Sequence, residues 1–93
     1  MKQPDHVLTF VRGEEGELRM HADAKGLSLL ICALEGLKKK VEGGVSEHAH
    51  LMTPSWAGSE LSEKKGTESG ELIHHLKLYG WTEERARKHG FST

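Results

Sequence analysis

His48 and His50 stand two residues apart in the run Glu47-His48-Ala49-His50-Leu51-Met52, and His75 lies in the later run Glu71 to Tyr79. Residues two apart on a strand point to the same side, so His48 and His50 share one face. Imidazoles so placed support three kinds of chemistry. Converging with a fourth donor, His48, His50 and His75 would ligate zinc or nickel. No cysteine lies near them, and no Asp or Glu marks itself as a fourth ligand. On a protein-binding surface, His, Tyr and Met make adaptable polar and apolar contacts. The plainest alternative is a solvated or dimer-covered sheet face.

The turn Pro54-Ser55-Trp56-Ala57-Gly58 follows directly. In a small protein poor in aromatics, a loop Trp is expected to fold back and plug the end of the core. The competing expectation for Trp56 is an exposed anchor, because Trp is enriched among interface hot spots. Trp81, after Gly80, is expected to close the other edge.

Nucleophilic catalysis lacks a framework here. Ser55-Trp56-Ala57-Gly58 is not the Gly-x-Ser-x-Gly elbow that exposes a serine nucleophile. Cys32 sits among apolar neighbours in a helical stretch and reads as packing rather than as a thiolate. Glu14/Glu15 and Glu83/Glu84 are adjacent pairs suited to solvating a turn and a helix start. The expectation is a protein that is not an enzyme and has no cofactor.

The elements that must position these residues come from a chain of 93 residues, read as one small domain over residues 1–93. Thirteen basic against fourteen acidic residues leave a formal net charge of -1. A nucleic-acid binder would show a basic excess on one face, so no nucleic-acid partner is expected. Leu27 to Leu34 is too short to span a bilayer, so no membrane partner is expected either. A single cysteine and no signal-like N-terminal run point to a reducing cytoplasm.

Val7 to Val11 and the alternating Glu17 to Ala22 read as a β-hairpin around Gly13-Glu14-Glu15-Gly16. Asp23 is placed to cap a long helix, and Leu27, Leu30, Ile31, Leu34, Leu37 and Val41 are expected to form its buried face. Each buried side chain would contribute roughly 1.5–3 kcal/mol. Lys38, Lys39 and Lys40 suit the negative end of the helix dipole, and Gly43-Gly44 supplies the stop. Val45 to Met52 and Glu71 to Tyr79 read as two further strands. The long intervening loop, residues 53–70, is expected to be partly mobile, chiefly over its polar half from Ser62 to Gly70. Thr82 caps a short charged helix.

The order predicts an α+β fold: a two-layer ββαββ(α) sandwich with one long helix on a four-stranded mixed sheet. Parallel neighbours on either side of that helix would make a right-handed crossover. Alternation puts Leu8, Phe10, Leu18, Met20, Ala22, Val45, Leu51, Leu72, Leu76, Leu78 and His74 under the helix. It puts Thr9, Arg19, His21, His48, His50, Ile73, His75 and Tyr79 on the bare side, which must face water or a partner. A homodimer through that side is one way to cover it.

The segments Ala24-Lys25-Gly26-Leu27, Leu30 to Leu37, His48-Ala49-His50-Leu51-Met52-Thr53 and Trp56-Ala57-Gly58-Ser59-Glu60-Leu61 resemble immunity protein family 32 of bacterial polymorphic toxin systems. The resemblance spans roughly Leu18 to Tyr79. It implies a non-catalytic binder that neutralises a cognate toxin in the cytoplasm of the producing cell by steric occlusion, and it carries over no cofactor. It defines no toxin-contacting residues. His48, His50, His75 and Tyr79 are partner-contact candidates from the bare-face argument, and Trp56 is one as the exposed-anchor alternative.

Overall fold

The structure is a computed structural model and describes residues 4–66 and 68–91. Strand β1 (Leu8–Arg12) pairs antiparallel with β2 (Leu18–Ala22), with Phe10 opposite Met20. Helix α1 (Ala24–Glu42) follows, then β3 (Glu47–Met52), a 3-10 turn at Pro54–Trp56, β4 (Glu71–Leu72), β5 (His75–Gly80) and the short helix α2 (Glu83–Lys88).

Local chemistry places both helices where the sequence puts them. The Asp23 carboxylate accepts from Gly26 N at 2.8 Å and starts α1. Gly43 and Gly44 end it, donating back to Lys39 O and Val41 O. Thr82 Oγ1 accepts from Arg85 N and starts α2.

The sheet differs from the expected single mixed one. There are two antiparallel sheets, ordered β2-β1-β4 and β3-β5. The strands flanking α1 lie in different sheets, so the connection through the helix does not join parallel neighbours. Between β4 and β5 the chain changes partner over two residues. Ile73 N still donates to Phe10 O at 2.9 Å, while His74 O accepts from Thr53 N at 3.0 Å. This hand-off shifts the alternation by one. Ile73 joins the core and His74 turns to the bare side, the reverse of the expected assignment.

The core holds Leu8, Phe10, Leu51 and Leu61, packed against Leu29, Leu30, Ala33, Ile73, Leu76 and Leu78. Helix α1 is thus rotated from the expected orientation: Leu27, Ile31 and Leu34 are 42%, 54% and 47% exposed. The reason is close approach. Gly26 sits against the Val7 carbonyl, where a Cβ would overlap the oxygen, and Gly80 abuts Leu37 and Val41. The side of the helix that can come nearest the sheet outranks the side with the largest apolar residues. The same rotation leaves Cys32 exposed rather than packed. Leu18, Met20 and Val45, expected under the helix, are also exposed.

Gly36 offers the contrasting case, since a Cβ there meets nothing within 4 Å. Gly36→Ala should stabilise the protein by about 0.5–1 kcal/mol, the usual gain on replacing a helix-interior glycine. Urea unfolding should show it as a raised midpoint at unchanged slope.

Parts of the 53–70 loop are buried against or hydrogen-bonded to the rest of the fold. Leu61 and Ser62 are fully buried. Ser62 Oγ accepts from Leu8 N at 2.9 Å and bonds the Thr9 hydroxyl, and Ser62 N donates to Leu8 O. Glu68 pairs with Arg19 and His21, and Lys65 donates to Gly70 O. The segment covers the back of β1, where Thr9 and Val11 are fully buried. The side expected to be bare is therefore closed behind β1 by the chain itself. It stays open behind β3 and β5.

Candidate functional site: a ladder of rings on the open β3–β5 face

The β3–β5 register places Ala49 opposite Leu78 and Leu51 opposite Leu76, facing the helix. The intervening pairs, His48 opposite Tyr79, His50 opposite Lys77 and Met52 opposite His75, belong to the other face. His48 and His50 are both exposed. The placement read from the sequence holds for these two, and for His75 and Tyr79 beside them.

These side chains form a continuous row. His50 and His75 stack with centroids 5.0 Å apart and 26° between planes, and His50 Nδ1 lies 2.7 Å from His75 Nε2. One ring must donate and the other accept, so the two hold complementary tautomers. His48 meets His50 edge-on at 5.0 Å and Tyr79 at 5.7 Å. Tyr79 stacks on Trp81 at 5.6 Å and 9°, and Trp81 stacks on Phe91 at 5.4 Å. The Lys77 ammonium lies 4.9 Å from the Tyr79 ring centre.

Trp56 closes the other end of the row. It is 54% exposed, so it is not the core plug its context predicts. Its indole lies parallel to His74, with 6.1 Å between centroids and 7° between planes, and 6.0 Å from His75. The turn beneath it is firmly pinned. Trp56 N and Gly58 N both donate to Thr53 O at 2.9 Å, and Thr53 Oγ1 is 2.7 Å from His74 Nδ1. Pro54 and Thr53 are buried, and Gly58 packs so close to Met52 O that a Cβ would overlap it. Burying the base of the turn lifts the indole outward.

All five partner-contact candidates (His48, His50, Trp56, His75 and Tyr79) thus meet on one surface. The sequence does not place His74, Trp81 or Phe91 in this row, nor His89, whose ring lies 4.8 Å from that of Trp81. Trp81 was legible as an aromatic two residues after Tyr79, whereas His74 joins only through the partner change after β4. The three histidines weighed as metal ligands meet as ring contacts. Among the described residues no group of three or more His, Cys, Asp or Glu is arranged to hold a metal ion.

Protonation tunes the row. Desolvation by the packed rings, then repulsion from His48, His75 and Lys77, holds the His50 imidazole below its usual value, in favour of the neutral ring. The unfolded chain then takes up a proton near pH 6.5 that the folded chain still refuses. His50 therefore contributes stability above about pH 6.5 that is lost as pH falls through the lowered value. Thermal melts between pH 7.5 and 5 should show this fall, and His50→Gln should make it shallower. An unchanged slope in His50→Gln would contradict the assignment.

A shallow groove lined by His48, Tyr79, Trp81 and Arg85 adjoins the row, but the rings themselves stand on an open surface. The architecture is that of a small α+β protein with one long helix and an open, ring-lined sheet face. The model of the Immunity protein 32 family matches residues 17–77, and the chain belongs to that family. No curated protein and no solved structure matches it. Among the described residues, no helix is long and apolar enough to cross a membrane.

Proposed function

We propose that this protein is a non-catalytic immunity protein that neutralises a cognate toxin in the producing cell's cytoplasm by covering the toxin's surface with its β3–β5 face. The observation carrying this reading is the unbroken contact row from Trp56 through His75, His50 and His48 to Tyr79 on an exposed sheet. Rings already stacked on one another lose little freedom on docking, so their buried area translates into affinity. Trp and Tyr at the two ends supply rigid amphipathic anchors. Exposed Lys77 and the imidazoles between them supply hydrogen-bond donors. A chain with net charge of -1 has little overall field to steer association, so recognition rests on these local contacts.

The test is co-expression with the toxin domain encoded beside this chain, followed by calorimetric titration of the purified pair. Rescue of growth and a saturable complex support the reading. Rescue that persists unchanged when the ring face is altered would place the toxin contact elsewhere.

A further inference from the structure

The centre of the ring row carries positive groups that the chain itself leaves unanswered. Other imidazoles have carboxylates of their own chain beside them. His21 pairs with Glu68, His48 Nδ1 lies 3.8 Å from Glu47, and His74 Nδ1 lies 3.7 Å from Glu63. Among the described residues no carboxylate pairs with His50, His75 or Lys77. The acidic groups bordering the row are committed to backbone amides instead. Glu47 accepts from His48 N and also pairs with Lys40, Glu60 accepts from Met52 N, and Glu63 accepts from Ser55 N. What acts on the His50 imidazole is desolvation, then His48 from its own strand and His75 and Lys77 from β5, and all four disfavour the charged ring. Tyr79 offers Lys77 only its ring face, 4.9 Å away.

We propose that the protein surface covered by this face presents an aspartate or glutamate side chain to His50, His75 and Lys77. The inference rests on the toxin-docking reading and names the chemistry of the partner's contact. The imidazole pair is arranged to receive such a group. His50 Nδ1 lies 2.7 Å from His75 Nε2, so a charged His50 donates through Nδ1 to His75 and keeps its Nε2–H for an incoming oxygen. Lys77, opposite His50 in the register and exposed, adds a fixed positive charge. Trp56 and Tyr79 at the two ends would exclude water from the contact, and a charge-assisted hydrogen bond strengthens when water leaves. A phosphate chain fits less well. It needs a track of fixed cations, and of the three central groups only Lys77 is one, on a chain of net charge -1. A carboxylate over His50 favours the charged ring, opposing the desolvation and repulsion that hold it neutral in the free chain. The complex therefore takes up a proton, and affinity rises as pH falls through the raised value of the bound imidazole.

Calorimetric titration of the full chain with the purified toxin domain encoded beside it, in phosphate and in Tris at equal pH and ionic strength, tests this. The two buffers differ in heat of ionisation, so proton uptake appears as a buffer-dependent enthalpy. Between about pH 8 and 6 the Kd should fall by up to about tenfold per unit, and His50→Gln should flatten both effects. Lys77→Gln should raise Kd about tenfold, and Lys77→Glu about 100-fold, because it sets like charges face to face. The urea midpoint of either free variant should stay where it is, since Lys77 is exposed. Binding free of proton uptake, or a Lys77→Glu chain that binds as tightly as Lys77→Gln, would overturn the proposal. If Trp56→Ala weakens the complex while Lys77→Glu does not, the carboxylate contact fails and the docking face stands. Indifference to Trp56→Ala, Tyr79→Ala and Lys77→Glu alike would remove the docking face and this contact with it. A uridylate oligonucleotide bound more tightly than the toxin domain, and released by Lys77→Glu, would assign the face to nucleic acid instead.

Discussion

Gly26→Ala is expected to lower stability by about 3 kcal/mol, near the upper end for overpacking a folded interior. The added Cβ would overlap the Val7 carbonyl oxygen and press on Leu8 Cβ. The obstacle is backbone, which has no rotamer by which to yield. Lifting the first turn of α1 off β1 is the only relief. That movement would strain the Asp23 cap on Gly26 N, the Asp23 N bond to Val7 O and the packing over fully buried Leu8. For a domain of this size, about 3 kcal/mol corresponds to a fall of roughly 12 °C or more in Tm. Against a total stability of roughly 5–15 kcal/mol it is a large fraction. Side-by-side thermal and urea unfolding of Gly26→Ala and Gly36→Ala would measure it. The two substitutions are chemically identical and ten residues apart in one helix, yet their effects should have opposite signs. Equal effects would mean that α1 does not approach β1 as described.

Trp56→Ala and Tyr79→Ala should each weaken toxin binding by about 2 kcal/mol, close to 30-fold in Kd, if the ring face is the docking surface. Truncating an anchor removes its own contact area and also exposes the imidazoles stacked against it to water. For Trp56 these are His74 and His75, and for Tyr79 it is His48. The double substitution should approach complete loss of protection in co-expression. Both side chains are about half exposed, so the unfolding midpoint of the free protein should move little. Calorimetry beside urea unfolding separates the two effects. Undiminished affinity in both single variants would sink the docking assignment, and a matching collapse of stability would recast the rings as structural.

Much of the ring face is legible in the sequence because a strand has a strict period of two. His48 and His50 must share a side, and pairing β3 with β5 brings Tyr79 and His75 to them. His74 was not legible. Its side is set by a change of pairing partner at Ile73 and His74, and nothing in Leu72-Ile73-His74-His75 announces where two sheets meet. Trp56 fails for a related reason. Whether a loop indole plugs the core depends on what else fills the space, and here Leu61 fills it, leaving the indole to stack on His74. The polar Ser62 to Gly70 stretch looked solvated by composition. Ser62 is nevertheless buried, because β1 leaves Leu8 N and Leu8 O in need of partners.

Taken alone, the sequence determined the α+β content, the starts and stops of both helices, and the faces of β3 and of most of β5. These follow from capping chemistry and periodicity, which act over a few neighbouring residues. The tertiary structure decided how α1 is rotated, where the sheet divides, and which side of β1 the long loop covers. Each of those is a competition between distant segments for the same space and the same backbone partners. Glycine at 26 and 80 wins it for one side of the helix, and Leu27, Ile31 and Leu34 are left outside.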